Sequence, residues 1–63
     1  MIGFNSKVKV LDSPAIKKVM YGQVGEVVDI TKIETKRNGI VTVYKVGFGK
    51  ENYVFLPHEI MEV

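Results

Sequence analysis

Apolar and polar residues alternate along most of this chain with the two-residue period of strands, and the alternation breaks where the residue types favour turns. Lys7-Val8-Lys9-Val10-Leu11 predicts a short first strand, with Val8 and Val10 buried and both lysines in water. Asp12-Ser13-Pro14 ends it, because proline lacks a backbone donor and Asp or Ser side chains bond to nearby amides. In Ala15-Ile16-Lys17-Lys18-Val19-Met20-Tyr21, the residues Ile16, Val19 and Met20 fall at helical spacing, but seven residues suffice only for a single helical turn or an irregular loop. Gly22-Gln23-Val24-Gly25 predicts a tight turn leading into a bent second strand over residues 24–33.

The strongest local signal is Asn38-Gly39 between two runs rich in β-branched residues, 27–33 and 40–48. Asn-Gly accommodates the two positive φ values of a type I′ turn, so a central hairpin is expected, with 34–39 as its polar tip. On the third strand, Tyr44, Val46 and Phe48 form the expected core face, and Val41, Val43 and Lys45 the opposite one. The glycines beside Phe48 predict a second turn over residues 49–52, then a fourth strand, Tyr53-Val54-Phe55-Leu56. Pro57-His58-Glu59 fits a proline-opened 3-10 turn, and residues 60–63 a short closing strand with Ile60, and Val63 beside it, turned inward.

The expected fold class is therefore all-β: four to five short antiparallel strands in one domain over residues 1–63, with a 3-10 turn before the last strand. This arrangement resembles the SH3-like small barrels over nearly the whole chain. Within it, Gly22-Gln23-Val24-Gly25-Glu26-Val27-Val28-Asp29-Ile30 is similar to the KOW-type pattern of ribosomal proteins and bacterial transcription elongation factors, although Glu26 stands where such motifs often carry a basic residue. That likeness implies contacts to RNA or to the transcription machinery. The ending Phe55-Leu56-Pro57-His58-Glu59-Ile60 also resembles that of small SH3-like subunits of ferredoxin-dependent complexes, which serve as docking pieces.

Sixty-three residues enclose no deep substrate cavity, and without cysteines neither disulfides nor thiolate metal sites supplement the core. No stretch approaches the roughly 20 apolar residues of a membrane span, and the N-terminal residues do not read as a signal peptide, so a cytoplasmic, membrane-free protein is expected. The net charge of +2 permits nucleic acid without demanding it. His58 is the single histidine, too few for a zinc site. Gly47-Phe48-Gly49-Lys50 lacks the spacing of a phosphate loop, and neither Ser6 nor Ser13 has an identifiable histidine partner. No catalytic residue, cofactor or metal is expected, and the chain reads as a non-catalytic binding module.

Two residue sets are candidates for partner binding. Lys17, Lys18, Lys32, Lys36 and Arg37 would form a basic rim, with Tyr21 as a stacking face for an unpaired base. Val41 and Val43 would form an exposed apolar strand face, open to a protein partner or to another copy of the chain in a homo-oligomer. A protein partner is the first expectation, with the chain as an accessory subunit, regulator or inhibitor of a larger complex, cellular or carried by a mobile element. Nucleic acid is the alternative.

Overall fold

The structure, a computed structural model, describes residues 2–63. Five strands, β1 (Lys7–Val10), β2 (Val24–Thr35), β3 (Gly39–Phe48), β4 (Glu51–Phe55) and β5 (Ile60–Glu62), form one antiparallel sheet in the order β4-β3-β2-β1-β5. The only helical segments among the described residues are two 3-10 turns, Lys18–Met20 and Pro57–Glu59, so the fold is all-β with a 3-10 turn before the last strand.

The alternation in β1 works as expected: Val8 and Val10 are sealed from solvent while Lys7 and Lys9 are exposed. They pack with Val27, Val46, Phe55, Ile60 and Met20, and Ile16, Ile30, Tyr44 and Phe48 close over this core at its margin. The T-shaped contact of Phe48 with Phe55, with ring centroids 6.1 Å apart, ties β3 to β4. Tyr44, Val46 and Phe48 thus share the core face.

The β2 pattern is less regular than its valines suggest. The register with β3 shifts between Val27 and Asp29, leaving Val28 as the extra residue of a β-bulge. One added residue reverses the phase of every later side chain, so Val27 and Ile30, three positions apart, both face the core, while Val28 is exposed. Gly25, opposite Val8, sits where a Cβ would come within 2.6 Å of Val46 Cγ1 and 2.7 Å of the Gly47 carbonyl oxygen. Here the need for glycine is close approach of two strands. Gly25 therefore has a packing explanation of its own, whereas Gly22 is in the left-handed region.

Both hairpin turns differ in kind from the expectation. Thr35 pairs with Gly39, so the β2–β3 connection has three residues, and Gly39 is in the left-handed region (φ 65°) while Asn38 is not. With positive φ at Gly39 alone and three residues between the paired ends, this is not the two-residue type I′ turn, which needs positive φ at both central residues. The Thr35 hydroxyl fixes the connection, accepting from Asn38 N at 3.0 Å and donating to the Gly39 carbonyl at 3.0 Å. The two-residue mirror-type turn lies instead at Gly49-Lys50, between the paired Phe48 and Glu51, with positive φ at Gly49 alone, as a type II′ turn requires. Consequently β4 starts two residues earlier than expected. The helical turn spans only Lys18–Met20, too short to carry a shared face with Ile16, and Val19 is exposed; Val63 lies past the end of β5, exposed rather than inward.

Candidate functional site

The sheet is uneven in width, and its narrowest part is an arm. β1 pairs with β2 only at residues 24–26, and β4 pairs with β3 only at residues 44–48. From Ile30 to Val43 the two long strands therefore pair with each other alone. An isolated two-stranded ribbon is marginal in water and carries unpaired backbone groups along both edges.

Register assigns the side chains of this arm to two faces. Ile30, Lys32 and Glu34 lie opposite Tyr44, Thr42 and Ile40 on the side that continues the core face. Thr31 and Ile33 lie opposite Val43 and Val41 on the other side. Val41 and Val43 are half-buried and Ile33 is 45% exposed, so the three shield one another in part and leave a β-branched apolar strip facing solvent. Val54, opposite Lys45 at the edge strand, extends the same side of the sheet and is also exposed.

The candidate basic residues are divided among the arm tip, the core-side face of the arm and the β1–β2 connection. Lys36 and Arg37 occupy the tip of the arm and are exposed, and Lys32 is exposed on the core-side face. Lys17 and Lys18 belong to the β1–β2 connection, which folds over the core by burying Met20. Lys17 lines a cleft that Phe55 also lines, away from the tip at Lys36 and Arg37. Tyr21 is half-buried and its hydroxyl donates to the Ser13 carbonyl at 2.6 Å, which fastens the connection to itself. Gln23 Nε2 donates to the Val19 carbonyl, and Gly22 N to Val10 O, tightening the same segment.

A feature the sequence did not reveal is a small cleft between that connection and β4, lined by Ala15, Ile16, Lys17, Met20, Phe55 and Glu59 among others, with a volume of about 200 Å³. Its walls come from two distant stretches of chain, 15–20 and 53–59, so no local pattern announces it. Among the described residues Glu59 is the one buried charged side chain, 6% exposed, and its Oε1 accepts a hydrogen bond from Leu56 N at 2.8 Å. His58, next to it, is exposed in the 3-10 turn. At the edge strand, the Tyr53 hydroxyl donates to the Glu51 carboxylate, and this bond, together with the carboxylate's charge, raises the phenol above its usual range. No group of three or more His, Cys, Asp or Glu among the described residues is placed to hold a metal ion, and no described helix is long and apolar enough to cross a membrane. No protein-family model, no curated protein and no solved structure matches this chain.

Proposed function

We propose that the chain is a non-catalytic protein-docking module, acting as an accessory subunit, regulator or inhibitor of a larger assembly, and that the β2–β3 arm is its docking element. The observation that carries this reading is the arm itself: a ribbon with two unpaired edges and Ile33, Val41 and Val43 on one face. A partner strand added to either edge would satisfy the free backbone groups, and alternate side chains would supply selectivity. A covering surface would also bury the apolar strip, at roughly 25 cal/mol per Å² removed from water. The five-strand order, long first connection and 3-10 turn before β5 support an SH3-like barrel as the architecture that holds the arm.

Nucleic acid is the competing reading, and the division of the lysines argues against it. A backbone-tracking surface concentrates charge along one groove, whereas here Lys36 and Arg37 sit at the arm tip, Lys32 on its core-side face and Lys17 and Lys18 in the first connection, the whole chain carries a net charge of only +2, and Tyr21 is tied down. Titration of labelled single-stranded RNA and DNA at two salt concentrations tests the choice. The docking reading predicts no detectable binding at low salt and micromolar protein. A salt slope of about −2 to −3, the signature of three or four neutralised phosphates, abolished by combining Lys36→Glu with Arg37→Glu, would put nucleic acid in its place.

A further inference from the structure

The cleft between the β1–β2 connection and β4 is too small for a drug-sized ligand, for which pockets run to about 300–1,000 Å³. Its volume of about 200 Å³ suits one side chain. Ile16, Met20 and Phe55 make its walls apolar, yet Glu59 contributes a carboxylate to the lining. That carboxylate is nine-tenths buried and has no cationic partner among the described residues; its recorded hydrogen bond occupies Oε1 alone. Among the described residues no sealed side-chain oxygen lacks a partner, so Oε2 is not fully sealed, and Glu59 belongs to the lining of the cleft. A carboxylate oxygen open to the cleft can accept a charge-assisted hydrogen bond from a cation seated there, which is stronger than one between neutral groups. Lysine and arginine combine an apolar stem with a cationic head, which matches apolar walls and an acidic floor in that order.

We propose that this cleft is a binding site for one aliphatic cationic side chain, a lysine or arginine presented by a partner protein. The inference rests on the docking reading for the source of that side chain, but the site is distinct from the arm and is tested without any partner. Lys17 at the rim works against a cation, but it is exposed and its field is screened by salt. The same lysine would favour a carboxylate ligand, so the test includes one.

Heteronuclear NMR of the intact chain follows the Met20 and Ile16 methyl groups and the Phe55 ring during titration with n-butylammonium, n-butylguanidinium, butyrate, butanol and a capped Ala-Lys-Ala peptide. The expected result is saturable shifts at these three residues with both cations and with the peptide, and none with butyrate or butanol. Glu59→Gln keeps an oxygen to accept from Leu56 N and removes the charge, so it should stay folded and bind the cations at least about tenfold more weakly, the loss of one charge-assisted contact. Equal binding of butanol, preference for butyrate, an unaffected Glu59→Gln or the absence of saturable shifts would each overturn the proposal. Binding of the free amines without the peptide would overturn the partner side chain as occupant. None of these results bears on the arm, whose docking role is tested by its own variants.

Discussion

Gly25→Ala places a methyl group where the fold has no room for one. Its Cβ would lie 2.6 Å from Val46 Cγ1, 2.7 Å from the Gly47 carbonyl oxygen and 2.7 Å from Phe48 Cε1. Favourable carbon contacts lie at about 3.5–4.0 Å, so each approach is short by roughly 1 Å. One of the three obstacles is backbone, and another is a valine wholly shielded from solvent, so neither can rotate away. Overpacking of this kind costs about 1–3 kcal/mol, and three simultaneous overlaps place Gly25→Ala near the top of that range. The lower entropy of the unfolded alanine chain returns about 0.4–1 kcal/mol, leaving a net loss of about 2 kcal/mol or slightly more. Against total stabilities of about 0.05–0.15 kcal/mol per residue, that is a large fraction for so short a chain. Urea unfolding followed by circular dichroism measures it, with Gly47→Ala as the matched control. At Gly47 the nearest atoms are side-chain ends, Asn52 Oδ1 at 3.0 Å and Val28 Cγ1 at 3.3 Å, which can give way, so the control should lose less than about 1 kcal/mol. If Gly25→Ala costs no more than Gly47→Ala, the close approach of β2 to β3 is wrong.

The remaining predictions concern the core, the arm tip and the edge strand. Val46→Ala removes two buried methyl groups and should cost about 2–3 kcal/mol, while Val43→Ala, on the half-buried outer face, should cost under about 1 kcal/mol in the isolated chain; denaturant midpoints decide between them. Gly39→Val forces a β-branched residue to positive φ and should lower the melting temperature by several degrees, whereas Asn38→Ala, at a position without positive φ, should change stability by less than about 0.5 kcal/mol. The neutral Tyr53 phenol is favoured in the fold, so its contribution is present below the usual tyrosine pKa near 10 and is lost as pH rises through the raised value. Glu51→Gln should bring that titration down, as read from the ring carbon shifts of Tyr53, and an unmoved titration would refute the cause assigned to it.

Much of the fold was legible because it rests on alternation in short strands. Val8 and Val10 in β1, and Tyr44, Val46 and Phe48 in β3, repeat with period two and face the core as that period dictates. Legibility ended where a single residue changed the phase. The bulge at Val28 leaves no mark in a run of two valines, an aspartate and an isoleucine, yet it decides that Ile30 faces inward and Ile33 outward. Turn type was equally concealed: Asn38-Gly39 accepts more than one hairpin connection, and the choice fell to the Thr35 hydroxyl and to the strand lengths. Of the candidate site residues, Val41 and Val43 were placed on one outer face as their spacing required, and Ile33 joined them through pairing that only the register supplies. The lysines carried no such spacing rule, and pairing divides them between the tip, the core-side face and the first connection. The cleft around Glu59 was out of reach, since residues 15–20, 55 and 59 meet only after the sheet has formed.

The docking claim is tested most directly by capture from a lysate of the source organism, treated with nuclease, using the wild-type chain beside the double variant Val41→Ser plus Val43→Ser. The variant alters the outer face of the arm and leaves Tyr44, Val46 and the rest of the core in place, and its melting temperature and circular dichroism are recorded first to show that it is folded. The account predicts a stoichiometric protein partner that survives nuclease, elutes with the wild-type chain and is lost from the folded variant. Capture that vanishes with nuclease, or that the folded double variant retains in full, would contradict it.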